Sequence, residues 1–211
     1  MGVSFGDERT PGIDVIMPDT SFIEDFIDDI EAIILTHAHE DHIGAVGHLW
    51  SRFKKPLYAT PFTAELIQGK LNEAGAHDAE LNTVPLEGSI SVGPFDITYV
   101  TLTHSIPEPN GLAITTPAGT ILHTGDWKID PDPVIGPPFD SRFLEKLGQE
   151  GVLAMVCDST NVFEEGEAGS EASCREELIK VIGEQTGRVA VTAFASNVAR
   201  VDSIIRAAEF H

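Results

Sequence analysis

The chain has 211 residues, 42% of them hydrophobic, and a formal net charge of −21 at pH 7. This length and composition are typical of a globular, loop-rich protein and exclude a disordered chain. The charge opposes nucleic-acid binding through a broad basic face, although bound metal ions would still provide positive charge locally.

Short strands and helices alternate in the first part of the chain. The apolar run Ala32–Leu35 predicts a strand buried on both faces, and Pro56–Ala59 predicts a second strand. Between them, apolar residues at helical spacing predict a helix over Asp41–Trp50. Thr60-Pro61 is a typical helix start, an N-cap followed by proline, and this helix should end near Gly75.

Strand patterns dominate the middle of the chain. Phe95–Thr101 alternates between apolar and polar residues, and Leu112–Thr115 and Thr120–His123 flank a hairpin turn. Val152–Cys157 predicts another buried strand, and a Glu- and Gly-rich linker, Asn161–Ser170, follows it.

The last part of the chain predicts two helices and one strand. Ser173 and Glu176 form a capping-box pattern, which predicts the start of a helix. Val189–Thr192 predicts a strand, and apolar residues between Val198 and Ile205 predict a final helix.

Metal-ligand residues are concentrated in the loop after the first predicted strand. Four of them lie within six positions: His37, His39, Asp41 and His42. Imidazoles and carboxylates are ligands of zinc, and a solvated charged surface would not contain histidine at this density. Two later predicted strands lead to His104 and Asp126, and strand ends in α/β sheets commonly form such sites.

Six ligands exceed what one tetrahedral ion requires, so two ions that share Asp126 explain the set better. Mn²⁺ is an alternative to Zn²⁺ because it also suits imidazole and carboxylate ligands. Glu40, which lies between two ligands, is a candidate for proton transfer. The other histidines are interpreted as structural: His48, His77, His123 and His211.

Five motifs resemble the ribonuclease J family, the bacterial branch of the β-CASP nucleases in the metallo-β-lactamase superfamily. They extend over most of the chain: Thr36–His42, Thr101–Glu108, His123–Lys128, Cys157–Asn161 and Phe194–Asn197. The first motif is common to the superfamily, whereas the second and fourth are more specific.

The resemblance implies a role for each matching residue. Six of them would bind two zinc ions: His37, His39 and His104 for one ion, Asp41 and His42 for the other, and Asp126 as the bridge. Asp41 and Glu40 are the candidate catalytic residues. A further five would contact the substrate or shape the cleft: Asp158, Ser159, Thr160, Ser196 and Asn197.

The resemblance also implies a fold and an activity. Residues 1–160 would form an incomplete α/β domain, the αββα metallo-β-lactamase sandwich, and residues 161–211 a linker and the start of a β-CASP domain. The implied activity is zinc-dependent hydrolysis of RNA phosphodiester bonds, by 5′-to-3′ exonuclease and endonuclease action. RNA is the implied partner, and the full-length parent would be a homo-oligomer.

The family pattern extends beyond both ends of this sequence. An acidic residue expected before Met1 and two histidine motifs expected after His211 are absent. We therefore expect the 211-residue chain to bind zinc incompletely and to be a poor nuclease.

Two alternatives to a nuclease remain open, and both would keep the metal loop. A small-molecule metallohydrolase, such as a thioesterase, would not need the motif at Asp158. A non-catalytic fragment or interaction scaffold would explain the abrupt ends of the chain. Because the chain has no membrane-length apolar stretch, no signal peptide and only two cysteines, we expect a cytoplasmic location.

Overall fold

The computed structural model describes all residues from Met1 to His211. The strands are β1 (Ser4–Phe5), β2 (Val15–Ile16), β3 (Ile33–Ile34), β4 (Leu57–Ala59), β5 (Leu81–Thr83), β6 (Ser89–Val92), β7 (Phe95–Thr101), β8 (Asn110–Thr116), β9 (Gly119–His123) and β10 (Ala154–Val156). The helices are α1 (Ser21–Glu24), α2 (Glu40–Ile43), α3 (Val46–Phe53), α4 (Pro61–Glu73), α5 (Arg142–Glu150), α6 (Glu171–Gly183) and α7 (Val198–Phe210), with a 3-10 helix at Ile27–Asp29. None of the helices is both long and apolar enough to cross a membrane.

Three separate sheets organise the chain. β3, β4 and β5 form a parallel sheet, with β4 in the centre. The larger sheet has the order β10-β9-β8-β7-β6, antiparallel except for β10, which runs parallel to β9. β1 and β2 form a small antiparallel pair. The architecture is therefore mixed α/β.

Helices and sheets are stacked in four layers. The first core lies between the helices α3 and α4 and one face of the parallel sheet, with Ile67 and Leu57 fully buried. Side chains on alternate positions of β7 then divide between two further cores. Ile97 and Tyr99 pack towards the parallel sheet, whereas Val100 packs with Leu147 of α5 on the opposite face. This αββα order is the one that the resemblance predicts.

Most predicted elements are present, but the predicted helix Asp41–Trp50 is two helices, α2 and α3. The N-terminal segment causes the break. The amide of Ala45 donates to the carbonyl of Met1 at 2.8 Å, and the amide of Val3 donates to the carbonyl of Glu40 at 2.9 Å. The Glu40 carbonyl also accepts from the Gly44 amide within α2, but the Ala45 amide is bonded to Met1 and cannot donate to the carbonyl of Asp41, so the helical hydrogen bonding of α2 ends there.

Three predictions for the C-terminal part were wrong. The predicted strand Val152–Cys157 is shortened to β10, and its side chains are exposed because it is the sheet edge and no element covers it. Val189–Thr192 is not a strand, since it has no strand partner. The helix predicted to start at Ser173 starts earlier, because the hydroxyl of Ser170 accepts a hydrogen bond from the Ser173 amide at 3.0 Å and caps α6.

Candidate metal centre

The loop from β3 to α2 carries the first two candidate histidine ligands, His37 and His39. His37 is fully buried, and its Nδ1 lies 3.1 Å from the hydroxyl of Thr36. The side-chain amide of Asn110 donates to the carbonyl of Thr36 at 3.1 Å, which holds the start of the loop against β8. These contacts leave Nε2 of His37 to face the centre.

Three imidazole nitrogens converge at one point. Nδ1 of His39 lies 3.2 Å from Nε2 of His37 and 3.2 Å from Nε2 of His104, which follows β7. Nitrogen ligands of zinc lie about 2.0–2.1 Å from the ion, so tetrahedral neighbours are about 3.3 Å apart. The observed spacing fits such a site.

Asp126 completes this group and also belongs to a second one. One carboxylate oxygen, Oδ2, lies 3.9 Å from His37 and 3.8 Å from His104. The other oxygen, Oδ1, lies 3.1 Å from Nε2 of His42, which in turn is 3.5 Å from Asp41. The ligand atoms of each group lie within 4.8 Å of one another, so the residues fit two neighbouring ions with Asp126 between them.

The turn after β9 presents Asp126 to both groups. Gly125 has a φ of +58°, and a Cβ at this position would lie 2.6 Å from the carbonyl oxygen of Asn110. The Gly125 amide donates to Nδ1 of His123 at 2.9 Å. Glycine is therefore required here both by the backbone conformation and by the close approach of β8.

Burial and neighbouring charges set the protonation of the site. Burial, the largest cause, and the nearby histidines together lower the pKa of His37 to about 2. Burial also lowers the pKa of His39 and of His104. The hydrogen bond from His42 lowers the pKa of Asp126 to about 2. Neutral imidazoles beside an ionised carboxylate are the forms that bind a metal ion.

Glu40 lies outside both ligand groups. Its two carboxylate oxygens accept hydrogen bonds from Nζ of Lys70 on α4, at 2.7 and 2.8 Å. Sequence reasoning missed Lys70, because a lysine 30 positions away in an ordinary helix carries no local signal.

The residues after β10 form a turn beside the site. The amide of Asp158 donates to the hydroxyl of Thr124 at 3.0 Å, and the charge of Asp158 raises the pKa of His104, against the larger effect of burial. The hydroxyl and amide of Thr160 both donate to the Asp158 carboxylate. The hydroxyl of Ser159 donates to the carbonyl of Cys157.

The start of α7 also reaches the site. A hydrogen bond to the backbone of Ser196 raises the pKa of His39, after the larger effects of burial and of Asp41. The side chain of Asn197 caps α7 by accepting from the amide of Arg200 at 2.9 Å. The first turn of α7 is bound to the loop after β7, because the amide of Ala199 donates to the carbonyl of Ser105 at 3.1 Å.

A buried carboxylate that sequence reasoning missed holds α6 in place. Asp130 accepts hydrogen bonds from the amides of Asp132 at 2.9 Å and Glu171 at 2.8 Å. The Glu171 side chain then pairs with Arg200 of α7 at 2.7 Å. Asp130 thus connects the Asp126 loop to both C-terminal helices, although no sequence pattern links these positions.

Comparison with known proteins assigns the chain to a protein superfamily. Residues 11–155 match the family model described as a beta-lactamase superfamily domain. The chain belongs to this superfamily. Membership confirms the predicted fold class, and together with the histidine–aspartate cluster it indicates a metal cofactor.

Curated relatives named ribonuclease J confirm the predicted resemblance. The chain is 46% identical to the Sinorhizobium meliloti protein over 99% of its own length and 37% of the relative. It is 43% identical to the Corynebacterium glutamicum protein, over 98% of this chain and 29% of the relative. It is 40% identical to the Thermus thermophilus protein, over 99% of this chain and 38% of the relative. The chain thus spans little more than a third of these relatives at most.

A solved structure supports the fold alone. A protein of unknown function from Enterococcus faecalis V583 superposes with a TM-score of 0.59 and 22% identity, over 83% of this chain and 44% of that one.

Proposed function

We propose that this chain is part of a ribonuclease J-like enzyme that hydrolyses RNA phosphodiester bonds with two metal ions, zinc in preference to manganese. The observation that carries the proposal is the position of Asp126, whose two oxygens face two different ligand groups. Sequence identity of 40–46% to proteins named ribonuclease J supports RNA as the substrate. Exonuclease and endonuclease action, a cytoplasmic location and assembly into homo-oligomers belong to the same proposal.

The proposal divides the chain into two parts and places residues of both beside the site. Residues 1–160 would form the metallo-β-lactamase part, and residues 161–211 would be a linker and the start of a β-CASP domain. Asp158, Ser159 and Thr160 would shape the cleft on one side. Ser196 and Asn197 would shape it on the other side, where α7 begins near His39.

The proposed chemistry assigns each side chain a task. A pair of bound divalent ions would supply Lewis acidity and lower the pKa of a water molecule. His37, His39 and His104 would hold one ion through the nitrogens that converge in the structure. Asp41 and His42 would hold the other, and Asp126 would fix the separation between the two. Because Glu40 is bound to Lys70, its task in this scheme is to orient the loop.

Metal counting and RNA turnover test the function together. Elemental analysis should find bound zinc in the wild-type protein, and the protein should cleave 5′-monophosphorylated RNA at a measurable rate. His37→Ala and Asp126→Ala should lose metal and cleavage, whereas His77→Ala, at an exposed position, should lose neither. Retention of both zinc and cleavage in His37→Ala or Asp126→Ala would contradict the ligand assignment. Thioester hydrolysis without RNA cleavage would favour a small-molecule hydrolase.

A further inference from the structure

An exposed tryptophan stands beside the candidate metal centre. Trp127 directly follows Asp126 in the chain, and 39% of its surface is exposed. The other tryptophan, Trp50, is 4% exposed, lies in the core beneath the parallel sheet and donates to the carbonyl of Lys55. Trp127 is therefore the only indole of this chain that a ligand could reach.

The Trp127 ring is held in place by the loops that carry the site. Its indole nitrogen donates to the carbonyl of Asp158 at 3.3 Å. The next residue, Lys128, donates its amide to the carbonyl of Thr103 at 2.8 Å, beside His104. A ring fixed at its edge loses little conformational entropy when something stacks on its face.

The charges around the site leave few cations for the substrate backbone. Lys70 is paired with Glu40, and Lys128 lies 3.6 Å from Asp130. Arg200 is paired with Glu171, and the whole chain has a net charge of −21. Affinity for single-stranded nucleic acid comes from backbone cations and from stacking of bases on aromatic rings, so a chain poor in free cations depends more on stacking.

We propose that Trp127 is a stacking platform for a nucleobase of single-stranded RNA, beside the phosphate that the metal centre would hold. This inference rests on the proposed function for its ligand class. The ring would accept any base, because stacking on an aromatic face is tolerant of sequence. Trp127 would therefore contribute to binding strength and to the position of the RNA, without selecting a base.

Binding to matched oligomers tests the platform. The probes are a 5′-phosphorylated pentaadenylate RNA with phosphorothioate linkages and an abasic oligomer with the same number of phosphates. With zinc-loaded wild-type chain, the RNA should quench tryptophan fluorescence and the abasic oligomer should not. Because Trp50 is buried, the quenching should come from Trp127.

Calorimetry with variants then measures how much Trp127 contributes to the affinity for RNA. Trp127→Ala should weaken RNA binding by about tenfold, within the range of base stacking, and leave abasic binding unchanged. Trp127→Phe should keep part of the affinity, and it also answers the question if the alanine variant does not fold. Phe22→Ala removes an aromatic ring on α1 that is even more exposed, at 75%, and should leave the affinity for RNA unchanged. Zinc content and circular dichroism should match wild type in each variant.

The outcomes separate this inference from the proposed function. Equal affinity of the wild-type chain for the RNA and the abasic oligomer would overturn the platform, as would full affinity in both Trp127 variants. A wild-type chain that binds the RNA through Trp127 but cleaves no RNA would support the platform and contradict the nuclease. If both Trp127 variants cleave RNA and bind it with full affinity, the nuclease would be supported and the platform contradicted.

Discussion

Lys70 on α4 binds both carboxylate oxygens of Glu40, the residue that lies between the candidate ligands His39 and Asp41. The contact joins Glu40, the first residue of α2, to a helix that begins 21 residues later, at Pro61. Lys70 is 22% exposed and Glu40 44% exposed, so solvent partly screens the pair. We therefore expect its main effect to be on the direction of the loop from His39 to Asp41, because hydrogen bonds from neighbouring residues commonly orient the ligands of metal sites.

Removal of this pair should weaken metal binding more than it weakens the fold. We expect Lys70→Met to lower the free energy of unfolding by about 0.5–1 kcal/mol and zinc affinity by about tenfold. Lys70→Arg should retain most of both. Lys146→Met breaks the exposed pair of Lys146 and Glu150 and serves as the control. Unchanged zinc affinity in Lys70→Met, measured by chelator competition, would show that the pair does not orient the loop.

The metal-free chain should lose stability on acidification. The folded-state pKa of His37, His39 and His104 lies below the ordinary value of 6.5. Below that pH the unfolded chain binds protons that the folded chain does not, so the free energy of unfolding falls as pH falls. Asp126, with its pKa lowered from 3.8, adds a further loss at lower pH.

Urea unfolding in the presence of a chelator, from about pH 8 to about pH 5, measures this dependence. The urea midpoint should decrease throughout the lower part of this range. His37→Asn should show a shallower decrease, because one buried imidazole is removed. A midpoint that stays constant or rises with acidity would contradict the pKa directions.

Gly125 should not tolerate a side chain. Gly125→Ala would place a methyl group 2.6 Å from a backbone oxygen, at a residue with a φ of +58°. We expect this change to lower the free energy of unfolding by about 3 kcal/mol and to weaken zinc binding. Gly75→Ala is the matched control, because Gly75 has a φ of +70° with no atom within 4 Å. Gly75→Ala should lower the free energy of unfolding by only about 1 kcal/mol, because backbone strain is its only cost. Equal losses in thermal unfolding would show that close approach to β8 has no cost.

Asp130 should stabilise the contact of the C-terminal helices with the rest of the chain. Asp130→Ala removes the acceptor of the Glu171 amide. We therefore expect the free energy of unfolding to fall by about 1.5–3 kcal/mol and hydrogen exchange at the start of α6 to become faster. Asp140→Ala removes only an exposed contact with Arg142, and it should leave the free energy of unfolding nearly unchanged. Exchange at α6 that is the same in both variants would mean that Asp130 does not hold the helix.

Local patterns allowed a large part of the fold to be predicted. β7, the hairpin of β8 and β9, and α4 each follow from alternation, turn residues or a cap within a dozen positions. The candidate ligands could be predicted for the same reason, because four of them lie in one loop and the others follow strands.

Contacts between distant positions could not be predicted. Asn110 reaches Thr36 across 74 positions, and Asp130 reaches Glu171 across 41. The exposure of β10 also escaped prediction, since an apolar run at the edge of a sheet has the same sequence pattern as one in its centre. Only the order of strands decides between them.

The position of Asp126 in both candidate ligand groups imposes an order in time on the assembly of the site. The loop with His37 and His42 leaves the ribosome several seconds before Asp126, at synthesis rates of about 5–20 residues per second. β9, which leads to Asp126, pairs on one side with β8 and on the other with β10. A nascent chain can therefore contain the histidine loop early, but it cannot complete both candidate ligand groups until its larger sheet has been extended through β9.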